Sequence, residues 1–221
     1  MEKHFKGRFI TTENDLVTKL NKTRAFVFDW DGVFNSGEKN ELGCSFFNEV
    51  DSIGTNLLRF NYYLRRNSQC YTAIITGENN KSSLQFAERE HFNSVYYGAK
   101  NKKKALEHFC HNHELKPEEI VFVFDDVPDL EVASMVGLRI MVGRQATTRL
   151  QELAIDKGWV YYITSNDGGD HAIRELSELL LSLLGNYEEP ILQRAHFSPA
   201  YQAYFSGRNA LNTEIFGPEE F

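Results

Sequence analysis

The chain has 221 residues, 42% of them hydrophobic and 25% charged, with 24 Lys+Arg against 31 Asp+Glu. That balance fits one compact domain with an appendage and excludes a disordered or collagen-like polymer. A net charge of −7 repels phosphate backbones at long range, which argues against nucleic acid as a partner but permits a small anion at a local site.

The first ten residues lack the apolar core of a secretory signal. The greasiest stretch, residues 176–184, is too short to span a bilayer, so no membrane association is expected. Three widely spaced cysteines, Cys44, Cys70 and Cys110, make no disulfide framework, and a reducing, cytoplasmic location follows from that usage.

In chain order, apolar runs without alternation at 25–30, 71–75, 120–124, 138–142 and 160–163 read as strands covered on both faces. Helical spacing falls between them. Ile53, Leu57, Leu58 and Leu64 mark one helix; Leu84, Phe86, Ala87 and Phe92 a second; Ala105, Leu106 and Phe109 a third. Further helices are expected over 128–136, 147–157 and 171–184. The alternation predicts an α/β fold with a doubly wound parallel sheet. Two regions break the rhythm. Residues 34–50 carry turn formers between short apolar pairs and predict a β-hairpin inserted after the first strand. Residues 187–221 form an aromatic tail, expected to pack on a core of residues 1–186 or on a neighbouring subunit.

In parallel α/β sheets, ligands bind beyond the carboxyl ends of the strands. The first strand runs into Asp29-Trp-Asp31-Gly32, the second into Thr76-Gly77, and the third into Asp125-Asp126-Val-Pro-Asp129. Lys102 lies between the last two, at the head of a helix. Asp29 and Asp125 on neighbouring strand ends concentrate negative charge that a hard divalent ion such as Mg²⁺ relieves, and a phosphoryl group can share that ion. Asp29 is then placed to attack phosphorus and form an aspartyl-phosphate. Asp31 is placed to protonate the leaving alkoxide and then to activate water. Thr76, Gly77 and Lys102 would hold the phosphoryl oxygens. A single Asp at a strand end is more often a cap or turn residue, but this ordered combination is hard to obtain by accident.

These four motifs resemble those of the haloacid dehalogenase (HAD) superfamily phosphatases. More narrowly, residues 47–54, 73–77, 97–102, 136–138 and 168–175 resemble the small capless 3-deoxy-D-manno-octulosonate 8-phosphate (KDO 8-phosphate) phosphatase group, over about residues 23–185. The resemblance implies a Rossmann-like core and a Mg²⁺-dependent phosphomonoesterase acting through an aspartyl-phosphate on a sugar or sugar-acid phosphate, in lipopolysaccharide biosynthesis. It implies Asp29, Asp31 and Asp125 as metal ligands supported by Asp126 and Asp129, and a homotetramer in which the hairpin helps assembly. The chain departs from the group's pattern at Phe124, where Gly is common, and at Val50 and Glu78, where Arg is common. Groups able to meet a sugar-acid carboxylate are therefore fewer. The alternative is a non-catalytic HAD-like binding or scaffold protein descended from a phosphatase.

Other chemistries fit less well. The acid pair comes last in the chain, unlike a receiver domain, and no cysteine is followed by the Arg of a Cys-x₅-Arg loop. His108, Cys110, His111 and His113 point in different directions on a helix and lack a second cluster to complete a tetrahedral zinc site.

Overall fold

The computed structural model describes residues 3–221. Strand β1 (Arg8–Phe9) and helix α1 (Glu13–Leu20) precede the central strand β2 (Ala25–Phe28). Then come α2 (Glu49–Arg66), β3 (Tyr71–Ile75), α3 (Lys81–Glu90), β4 (Ser94–Tyr96) and α4 (Lys102–Asn112). The second half contains β5 (Ile120–Phe124), α5 (Leu130–Met135), β6 (Leu138–Met141), α6 (Thr148–Asp156), β7 (Tyr162–Ile163) and α7 (Ala172–Leu183). The aromatic tail forms α8 (Glu188–Ala195), α9 (Pro199–Asn209) and β8 (Glu214–Phe216).

The eight strands make one sheet in the order β1-β7-β6-β5-β2-β3-β4-β8, parallel except for β1. Successive side chains of a strand face opposite sides, so each strand feeds two cores. Phe26 and Phe28 join Leu57, Leu58, Leu176 and Leu180 on the side of α1, α2 and α7. Ala25 and Val27 join Leu106, Phe109, Val132 and Ala154 on the side of α4, α5 and α6. Burial on both faces explains the unbroken apolar runs, and the doubly wound prediction holds. In the tail, Tyr201 and Tyr204 bury against Phe60 of α2, while β8 pairs with β4.

The predicted hairpin is corrected: residues 34–48 form no strand. Asn40 replaces the ladder with a side-chain turn, its Oδ1 accepting from the amides of Leu42 and Cys44 at 2.9 and 3.0 Å. Its own amide donates to the Cys44 carbonyl, which closes the turn. Leu42 and Phe46 stay largely exposed, so no apolar face pulls the flanks into register.

Candidate active site

The chain runs from β2 to β3 on one side and reaches β5 on the other, so the sheet's switch point lies between β2 and β5. Asp29 follows β2 and ties its amide to the Val123 carbonyl of β5 at 2.9 Å. Asp125 follows β5 directly. Between them sits Gly32 at φ +83°, where a Cβ would stand 2.0 Å from Asp125 Oδ2. Only glycine lets the loop after Asp29 pass this close to the second acid. A further contact holds the same loop: a Cβ on Gly168 would stand 2.0 Å from the Gly32 carbonyl oxygen and 2.5 Å from that of Asn35.

Asp29, Asp125 and Asp129 are all buried, and each offers an oxygen within 4.8 Å of the others. Lys102, the first residue of α4, reaches into this group and donates to Asp29 at 2.5 Å and to Asp129 at 2.6 Å. Burial alone would depress the Lys102 ammonium, but Asp29 and Asp129 hold its pKa above the ordinary value. Burial, with Asp29 and Asp129 close by, pushes the Asp125 carboxyl up to about 8 against the opposing Arg144, whose Nη2 lies 3.1 Å away. Burial and Asp29 push Asp129 up to about 7, with Lys102 opposing. Three carboxylates therefore share two protein cations, and hard oxygen donors at this spacing suit Mg²⁺.

Asp31, expected as a metal ligand, is not a member of this cluster and lies elsewhere in the same cavity. Its carboxylate accepts from Lys39 Nζ and Ser45 Oγ, and from Asn80 Nδ2 at 3.2 Å. Asp129, expected as a supporting group, is the third member of the acidic cluster. Asp126 caps the following turn, accepting from the Val127 amide. Thr76 is buried at the end of β3, its amide bonded to the Tyr96 carbonyl of β4 at 2.8 Å. Gly77 follows it, and a Cβ there would meet nothing within 4 Å.

All the expected residues line one cavity of about 270 Å³, together with Glu78 and Arg144. Phe124 does not enter it. Strand alternation turns its ring to the α4–α5 side, where it stacks on Phe122 with centroids 5.6 Å apart. Glu78 pairs with Lys100 at the rim, and Val50 stands half-exposed at the start of α2. Sequence reading missed Lys39, Ser45, Asn80 and Arg144. Asn80 was recognisable as the cap of α3, but its hold on Asp31 was not.

No family model matches the chain. The KDO 8-phosphate phosphatase of Escherichia coli is 28% identical to it over 179 residues, spanning 79% of this chain and 88% of that protein. Among solved structures, a putative HAD superfamily (subfamily III A) hydrolase from Legionella pneumophila superposes with a TM-score of 0.69 at 27% identity, covering 83% of this chain and 95% of its own. The KDO 8-phosphate phosphatase of Moraxella catarrhalis, solved with magnesium, phosphate and KDO, gives 0.66 at 25% identity, covering 81% and 98%.

Proposed function

Starting from a chain that is a HAD-superfamily phosphatase homologue, related at about 28% identity to the KDO 8-phosphate phosphatases, we propose that it is a Mg²⁺-dependent phosphomonoesterase acting on a sugar-acid phosphate such as KDO 8-phosphate or a related small ester. The observation that carries the reading is the convergence of Asp29, Asp125, Asp129 and Lys102 in one cavity that Asp31 and Thr76 also line.

Asp29 and Asp125, with Asp129 beside them, would hold Mg²⁺, which when bound would supply the positive charge that lets a carboxylate approach an anionic ester. Lys102 fixes one oxygen of Asp29, leaving the other to attack phosphorus in line. As the Asp29–phosphorus bond forms, the ester P–O bond breaks and Asp31 gives its proton to the departing alkoxide. Thr76, Gly77 and Lys102 orient the phosphoryl oxygens. Water then attacks the aspartyl-phosphate, its proton passes to Asp31, and cleavage of the Asp29–phosphorus bond releases orthophosphate.

The test is Mg²⁺-dependent phosphate release from KDO 8-phosphate, other sugar phosphates and an aryl phosphate, for the wild-type chain and Asp29→Asn. The expected result is turnover of at least one ester by the wild type and a loss of about a thousandfold or more in the variant. Undiminished activity in Asp29→Asn removes the nucleophile, and a folded wild type inert toward every ester defeats the reading.

The active form is proposed to be a cytoplasmic homotetramer. Leu42 and Phe46 are 85% and 75% exposed, with Val50 and Ile53 beyond them, an apolar surface beside the catalytic loop that suits a second copy.

A further inference from the structure

We propose that a second cavity, at the ends of β6 and β7 beside β1, binds a second anionic group carried by the substrate, through Lys6, Arg8 and Arg144. The proposal rests on the phosphomonoesterase reading and defines the class of ester that it takes. This cavity measures about 260 Å³, and Arg144 is common to its lining and that of the catalytic cavity.

Its position follows from topology. The carboxyl ends of the parallel strands β5, β6 and β7 share one rim of the sheet. Because β1 runs antiparallel to β7, with Arg8 opposite Ile163, it brings its amino end to that same rim. Two glycines bring the cations close. A Cβ on Gly7 would stand 2.0 Å from the Tyr162 hydroxyl oxygen and 2.6 Å from the Ile163 carbonyl oxygen. On the other side, a Cβ on Gly143 would stand 2.2 Å from the Thr164 carbonyl oxygen. Both segments therefore lie flat against the end of β7, and Lys6, Arg8 and Arg144, each next to one of these glycines, surround the space between them.

The charge is local, and among the described residues two of its three cations have no ion-pair partner. In a chain of net charge −7, this lining holds three cations against one carboxylate, Asp167. Among the described residues neither Lys6 nor Arg8 takes part in an ion pair, while Arg144 already has Asp125. An anion between them relieves their mutual repulsion, and Arg's forked donors suit a carboxylate or a phosphate. Because Arg144 forms part of both walls, an ester whose phosphoryl group sits at Asp29 can extend its alcohol portion past Arg144 and place a second anion there. A neutral alcohol would leave those cations unpaired, so the site discriminates by charge.

The experiment compares kcat/KM for matched esters of increasing chain length: ω-hydroxyalkyl phosphates, the corresponding ω-carboxylalkyl phosphates and the alkanediol bisphosphates. Wild type is compared with the Lys6→Gln/Arg8→Gln double variant, both loaded with Mg²⁺ and checked for equal thermal stability. The expected result is a preference for the doubly anionic ester of about tenfold or more in the wild type, shrinking toward unity in the variant and with added salt. Malonate should compete against the doubly anionic ester while sparing the neutral one. Wild-type turnover without that preference, or a preference that survives the double substitution, overturns the proposal and leaves the phosphatase intact. Stimulation of the neutral ester by malonate overturns it in favour of a free anionic effector. Absence of turnover of any ester is the different result that defeats the phosphatase reading itself, and the proposal with it.

Discussion

At the scale of single residues, two carboxylates two positions apart meet opposite surroundings. Asp29 shares Lys102 with Asp129 inside the acidic cluster, whereas Asp31 is held by Lys39, Ser45 and Asn80 on the far side of the cavity. This separation is what the proposed roles of Asp29 as nucleophile and Asp31 as proton carrier require of two otherwise identical side chains. Replacing Lys39 by Met should leave Asp31 loosely aimed. Turnover of an alkyl phosphate, whose leaving group needs a proton, should then fall about tenfold or more. A 4-nitrophenyl ester, whose leaving group departs unaided, should be affected less, and Lys39→Arg should restore turnover of the alkyl ester. Equal losses on both esters would mean that Lys39 acts only on the fold. Asp29, Thr76, Lys102 and Asp125 were legible because each stands at a strand or helix end in a fixed local pattern. Lys39 and Arg144 were not: Lys39 meets Asp31 only because the 40–44 turn folds that loop back, and Arg144 meets Asp125 across neighbouring strands β5 and β6.

At the scale of elements, the strands read from unbroken apolar runs are β2, β3, β5, β6 and β7. The edge strands β1 and β8 and the inner strand β4 escaped: β1 has two residues and β4 and β8 have three each, too few to show a period, whereas the equally short β7 lies in the longer apolar run 160–163. The expected hairpin failed because turn formers mark a reversal without specifying what the flanking residues pair with. The juxtaposed ends of β2 and β5 carry a cost that pH should expose. Asp125 and Asp129 bind protons more tightly in the folded chain than at the ordinary carboxyl value of 3.8. Between pH 4 and about 8 the native state therefore holds protons that the unfolded chain has released, and stability falls as pH rises through that window. In chelator, the midpoint of thermal unfolding should be lower at pH 8.5 than the rest of the titration curve predicts from pH 5.5. Added Mg²⁺ should raise it more at the higher pH, since the ion binds the ionised carboxylates. A magnesium shift independent of pH would place the ion away from these acids.

At the scale of the whole molecule, the proposed tetramer has its candidate contact surface at the exposed side chains of Leu42 and Phe46. Light scattering should return a mass near four chains, and Leu42→Ser/Phe46→Ser should shift it toward smaller species. A wild-type monomer at micromolar concentration would refute the assembly.

The contact of Gly168 with the backbone at positions 32 and 35 has a practical consequence for re-engineering. Any side chain at 168 would push the loop that follows Asp29 outward, so mutant libraries meant to alter substrate range should hold 32 and 168 invariant. Diversity belongs at exposed positions of the neighbouring loop such as Glu38 and Glu41, while Lys39 and Ser45, which hold Asp31, and Gly43, at φ +74°, stay as they are.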